Sequence, residues 1–176
     1  TANSNQMLME IMGLQLPGSS FVNPGTPMRK ALNKEGLRVL LENVRERKFD
    51  RTIGNIVDEK SIVNGIIGLL ATGGSTNHTL HLIAIAKAAG IKIIWDDFSE
   101  LSEVIPLICR VYPNGAADVN HFHASGGMAY VMKTLLDTGL LHGDVNTILG
   151  KGLERYTADP KLKGDQIVYE DGPTKS

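Results

Sequence analysis

Cysteine is nearly missing from this sequence: Cys109 stands alone among 176 residues. An internal disulfide is therefore excluded, and so is an iron–sulfur cluster or thiolate zinc site held by this chain's own thiols, because each needs several cysteine ligands. Charge of one sign is lacking too. Eighteen Lys and Arg against nineteen Asp and Glu leave a formal net charge of −1, with no basic surplus to draw phosphate backbones or anionic membranes. General nucleic-acid binding is disfavoured on that ground. Long hydrophobic runs are absent: the longest, 66–71, is broken by Gly68 and is far too short to span a bilayer. The first residues carry no signal-peptide pattern. Aromatics make up only 5% of the chain, whereas glycine is plentiful at nineteen residues, a balance suited to close helix packing and backbone-lined sites.

Thr1-Ala2-Asn3-Ser4-Asn5-Gln6 contains no initiator Met and runs into Met7, Leu8, Ile11 and Met12 at helical spacing. Thr1, Asn3 or Ser4 can cap that helix by accepting from its unpaired N–H groups. The polar end at 170–176 closes no visible domain, so the sequence is expected to be a piece of a longer protein. Three prolines and two glycines between Leu16 and Pro27 predict an ordered loop. Residues 28–48 read as a charged amphipathic helix with Leu32, Leu37, Val39, Leu40, Leu41 and Val44 on its apolar positions. From 53 to 71 the pattern is apolar nearly all round, which predicts burial, and Gly65 and Gly68 would let a neighbouring helix approach closely.

The pattern breaks at 72–77 and resumes until Gly90, predicting two helices joined by a Gly-Gly-Ser-Thr turn. Residues 91–95 and 107–112 read as short strands, with Asp97 and Glu100 at capping-box spacing for a helix between them. A turn at 113–116, a helix over 125–138 stopped by Gly139, a weak helix near 149–156 and a strand at 166–169 complete the reading. Alternating helices and strands point to a helix-rich α/β layer rather than a bundle.

Gly73, Gly74, Ser75, Thr76 and Asn77 form the strongest local candidate site. A helix start offers N–H groups and positive dipole to a carboxylate or phosphate; the competing reading is that Gly73 merely ends one helix and Ser75 caps the next. No Gly-Lys-Ser/Thr ending makes this a P-loop. His78 and His81, and His121 and His123 in a loop or strand, are spaced so that either pair can face a metal, but neither has a carboxylate or thiolate partner at a recognised spacing. Packing is the preferred role for both pairs. Asp96 and Asp97 follow a strand candidate, a place for magnesium ligands, although capping explains Asp97. Ser125-Gly126-Gly127 repeats the small-polar theme, so the two glycine turns can converge on one pocket. Cys109 reads as a buried small hydrophobe.

Taken in order, Thr1 to Gln6, Leu16-Pro17-Gly18-Ser19-Ser20, Gly73 to Leu82, Trp95-Asp96-Asp97-Phe98, His123-Ala124-Ser125-Gly126-Gly127 and Leu140 to Thr147 resemble the family uniting dihydroxy-acid dehydratase with phosphogluconate dehydratase. The resemblance covers nearly the whole chain. Asn77-His78-Thr79, the stretch from Tyr112 to Phe122, and Gly152 to Tyr156 look like the branch acting on 6-phosphogluconate. The resemblance implies an iron–sulfur hydro-lyase of the Entner–Doudoroff pathway, with a 4Fe-4S cluster whose iron acts as Lewis acid on the departing hydroxyl, possible use of Mg2+, a phosphorylated sugar-acid substrate, a homodimer and a cytoplasmic location. It also implies a two-domain enzyme, of which 1–176 is the later part of the N-terminal α/β domain. The cluster cysteines would lie upstream, one just before Thr1, and the catalytic serine in a C-terminal β-barrel-like domain. On this view the chain holds neither catalytic residues nor metal ligands and is inactive alone. Thr1, Asn3, Gly73, Gly74, Ser75, Thr76, Asn77 and His78 are the residues expected near substrate or cluster. The alternatives are another dehydratase of the family, acting on dihydroxy acids or unphosphorylated sugar acids, and a non-catalytic helical interaction module.

Overall fold

The computed structural model describes residues 4–172. Thr1 and Asn3 lie outside them. Helix α1 (Ser4–Ile11) buries Met7, Leu8 and Ile11 and lies against α4 (Glu59–Thr72). Each such side chain removed from water contributes about 1.5–3 kcal/mol. Their contact is close because α4 presents Gly65 beside Met12 and Gly68 beside Ile11. Helices α5 (Asn77–Ala88), α6 (Trp95–Val104) and α8 (Gly127–Asp137) complete the main core around this pair, with Leu82, Phe98, Met132 and Leu135 buried. Tyr156 closes it from the far end of the sequence: it is fully buried, and its hydroxyl donates to the Gln15 carbonyl at 2.9 Å.

Helix α2 (Pro27–Arg45), capped by Thr26, sits outside this core. Its Leu32 and Val39 pack with Leu16, Val22, Ile148 and Ile167 in a second, smaller cluster. The expected apolar face is only partly used. Leu37, Leu40, Leu41 and Val44 are 57–68% exposed because the loop near Leu16, the segment at Ile148 and the hairpin over 158–171 cover one side of the helix alone. Leu37, Leu40 and Val44 border an open groove of about 920 Å³ that Arg29, Arg47, Lys48 and Arg51 also line.

Residues 53–71 do not form one buried segment. A short helix α3 (Ile53–Ile56) ends at Val57, and Asp58 then starts α4: its carboxylate accepts from the Ser61 N–H at 2.8 Å while the Ser61 hydroxyl accepts from the Asp58 N–H. That reciprocal cap satisfies two otherwise orphaned donors. Ile53, before the break, is 71% exposed.

The two early strand expectations fail. Residues 91–94 belong to no helix or strand, with Ile91 and Ile93 against the core and Lys92 and Ile94 exposed, and no described strand pairs with them. Asp97 caps α6 from its third position rather than from its start, its carboxylate accepting from the Ile94 N–H at 2.7 Å. Residues 107–112 likewise make only a single bridge, Val111 to Ala117. The segment read as a loop or strand around His121 and His123 is a helix, α7 (Val119–Ala124), because the Asp118 carboxylate caps it. Pairing appears later. Strand β1 (Asn146–Thr147) pairs with β2 (Gly150–Lys151), which with a 3-10 turn at Glu154–Thr157 stands where a weak helix was expected near 149–156, and β3 (Ala158–Lys163) forms an antiparallel hairpin with β4 (Gln166–Asp171). The chain is thus helix-rich with small antiparallel sheets, consistent with the α/β class. No helix among the described residues is long and apolar enough to cross a membrane.

Candidate functional site

The turn between α4 and α5 is built from both sides. Gly73 takes a left-handed φ of 56° and ends α4, its N–H and that of Gly74 returning to the carbonyls of Leu70 and Leu69. Only glycine adopts that conformation without steric cost. Gly74 allows α1 to come near: a Cβ there would lie 2.7 Å from Leu69 Cδ1 and 3.2 Å from Ser4 Oγ. Ser4 Oγ accepts from the Ser75 N–H at 3.0 Å. Two sequence motifs separated by 71 positions therefore meet at one point.

The N–H groups expected to be free at this helix start are mostly used. Ser75 donates to Ser4, His78 to the Ser75 carbonyl at 3.0 Å, and Thr79 to the Thr76 carbonyl at 3.1 Å. The Asn77 N–H faces Ser75 Oγ at 3.4 Å. The capping place of α5 falls on Thr76, which makes no side-chain cap bond, and not on Ser75 as expected; the side chains of Thr76 and Asn77 are exposed and available to a ligand. His78 is 8% exposed and packs edge-on against His81, the ring centroids 5.2 Å apart. Burial, helped by the neighbouring His81, holds its imidazole below the ordinary histidine range, so it is neutral at pH 7.

The two glycine turns do not converge. Gly73 and Gly74 border a small cavity of about 30 Å³ with Ser4, Phe21, Tyr112 and Phe122. Gly126 borders a separate one of about 510 Å³ with His123, Asp159, Lys161 and Asp171. Helix α7 divides them, Phe122 facing one cavity and His123 the other. His121 lines neither cavity and instead pairs with Asp118, Nδ1 to Oδ1 at 3.0 Å.

Among the described residues no three His, Cys, Asp or Glu side chains converge as metal ligands. Cys109 is half-buried, and desolvation pushes its thiol up to about 11, so it is not a thiolate at neutral pH. The described residues do not fit an iron–sulfur cluster or a magnesium ion by themselves.

Sequence reasoning missed Glu10. It is fully buried on α1 and accepts from the N–H groups of Gly18 (2.6 Å) and Ser20 (3.1 Å) and from the Ser20 hydroxyl. The loop 16–20 is folded around this carboxyl group. The available signal was an acid placed between Met7 and Ile11 on an otherwise apolar helix face, followed within ten positions by Gly and Ser donors. Asn114 was also missed as a contact of the turn; its amide donates to the Gly73 carbonyl.

A profile of the dihydroxy-acid/6-phosphogluconate dehydratase N-terminal region matches residues 1–156. The chain belongs to this dehydratase family. Phosphogluconate dehydratase of Pseudomonas aeruginosa is 56% identical over 176 residues, covering all of this chain and 29% of the relative. That of Rhizobium meliloti is 59% identical over 177 residues, with the same shares covered. A dihydroxy-acid dehydratase of Methylibium petroleiphilum is 42% identical over 183 residues, covering 98% of this chain and 32% of the relative. The chain spans less than a third of the length of these dehydratases.

Proposed function

We propose that this chain is the later part of the N-terminal domain of a phosphogluconate dehydratase. The carrying observation is the identity of 56–59% to relatives of that name across the whole chain, against 42% to the dihydroxy-acid dehydratase. In the complete protein the reaction is loss of water from 6-phosphogluconate. The C2 proton leaves to a base, the C3 hydroxyl departs as water, and the resulting enol ketonises to 2-dehydro-3-deoxy-6-phosphogluconate, a step of the Entner–Doudoroff pathway.

An iron–sulfur cluster, of 4Fe-4S type, belongs to this reading with its ligands outside the chain; Mg2+ is a possible further cofactor. Thr1, Asn3 and the turn from Gly73 to His78 are assigned to the neighbourhood of substrate or cluster. The meeting of Ser4 with Ser75 supports that assignment, since it brings the start of α1 to the turn. A C-terminal domain carries the catalytic serine. The whole protein is a homodimer, a reading supported by the uncovered apolar face of α2, and is cytoplasmic, in keeping with its sparing use of cysteine.

The test is turnover by the full-length protein, purified without oxygen, of 6-phosphogluconate, gluconate and a branched 2,3-dihydroxy acid. Recognition of the phosphate by dedicated polar groups should give 6-phosphogluconate a kcat/KM at least about a hundredfold above the others. Equal or better turnover of either competitor would overturn the proposal.

A further inference from the structure

The loop from 107 to 117 is fastened to the end of α4 at two levels. The N–H groups of Ile108 and Cys109 donate to the Ala71 carbonyl at 2.8 and 3.1 Å, and the Asn114 side-chain amide donates to the carbonyl of Gly73. Asn114 lies directly over the glycine. A Cβ on Gly73 would sit 2.6 Å from Asn114 Nδ2 and 3.2 Å from Leu107 Cδ1, so the absence of a side chain at Gly73 creates the space the amide occupies.

The loop is shaped to deliver that amide. The Asn114 N–H returns to the Val111 carbonyl at 2.9 Å, and the Tyr112 N–H donates to the Ala117 carbonyl at 2.8 Å. At Gly115 a Cβ would overlap the Arg110 carbonyl oxygen at 2.0 Å, so the tight Asn-Gly turn requires glycine there. Asn114 itself is exposed. Its side chain therefore contributes little to the core, yet it grips the carbonyl that sets the direction in which the chain leaves α4 toward Ser75, Thr76 and Asn77.

We infer that Asn114 is a positioning residue for the reaction, acting through Gly73 to hold the exposed side chains of Thr76 and Asn77 in register with the substrate. This rests on the assignment of the turn to the neighbourhood of the substrate. A misplacement on the scale of 1 Å can cost up to about a hundredfold in rate or affinity, so one amide bond acting at the base of the turn has adequate leverage.

The experiment uses the full-length enzyme carrying Asn114→Ala, Asn114→Asp or Asn77→Ala. It reads KM and kcat for 6-phosphogluconate, hydrogen exchange of a peptide spanning 73–79, and the melting temperature. Both Asn114 variants should raise KM about tenfold with kcat within about twofold, accelerate exchange in that peptide, and leave the melting temperature nearly unchanged. A merely structural role would shift melting without this split between KM and kcat. Unchanged kinetics in the Asn114 variants, with Asn77→Ala impaired, overturns the positioning role alone. Unchanged kinetics in all three variants overturns the placement of the turn at the substrate and the inference with it; faster exchange in that case marks Asn114 as a conformational clasp without a part in the reaction.

Discussion

Helices α2 and α4 both carry glycine in mid-helix, and the surroundings of those glycines are opposite. In α4, a Cβ at Gly65 would meet Leu82 Cδ2 at 2.9 Å and Met12 Sδ at 3.1 Å, and one at Gly68 would meet Ile11 at 2.9 Å. In α2, a Cβ at Gly36 would find only Leu16 Cδ1, at 3.8 Å. The same residue is therefore a condition of packing in one helix and a plain loss of helix propensity in the other. The seam between α1 and α4 is complete within this chain, whereas the face of α2 bearing Leu37, Leu40, Leu41 and Val44 has no cover among the described residues.

The largest effect that would break this contrast is on α1 itself. Glu10→Ala strips the acceptor from the Gly18 and Ser20 N–H groups at once, while the Ser20 hydroxyl keeps the Gln6 carbonyl, and at about 1–3 kcal/mol for each buried donor left unpaired a loss of roughly 3 kcal/mol is expected in urea melts. Burial raises the Glu10 carboxyl above its ordinary value, outweighing the hydrogen bonds that it accepts. The folded state thus binds this proton more tightly than the unfolded state. Its contribution is greatest at acid pH and is lost as pH rises through the raised value. Melts of the unsubstituted chain and Glu10→Gln, paired from pH 4 to 8 so that other carboxylates cancel, should show the stability difference moving against the glutamate as pH rises. A difference that is flat or moves the other way contradicts the assignment.

Next in size is a paired glycine test. Gly68→Val should destabilise by about 2 kcal/mol through overpacking against Ile11, while Gly36→Ala should stabilise by about 0.5–1 kcal/mol because the helix gains and no contact is lost. Thermal or urea denaturation reads both; like signs would dissolve the distinction between the two helices. The smallest effect sharpens the other side. Leu41, 68% exposed, should tolerate Gln within about 0.5 kcal/mol, with less binding of an apolar dye to the chain.

The sequence made the α1 seam legible because periodicity and glycine spacing are local signals: Met7, Leu8, Ile11, Gly65 and Gly68 all lie where the pattern puts them. It made the turn at 73–77 legible as a turn, and the family motifs singled out its position. It could not reveal that Ser4 and Asn114 grip that turn, since both contacts are long-range and polar. The strand expectations at 91–95 and 107–112 failed for the related reason that β-branched composition says nothing about a partner strand. Glu10 was hidden by the convention that an acid on an apolar helix is a solvated exception; here the donors of a downstream loop replace the water. On α2, apolar spacing gave the right helix but not its environment, because exposure depends on what else packs there.

The hydroxyl of Tyr156 on the Gln15 carbonyl joins positions 141 residues apart, and this has a consequence for the making of the protein. At a synthesis rate of about 5–20 residues per second, the interval between the two amounts to roughly 7–30 s. Until then α1, a helix of only eight residues that is marginal without tertiary contacts, has α4 to pack on but lacks the tyrosine that ties down the turn after it. The main core is thus closed by the last of its buried side chains to be synthesised among the described residues.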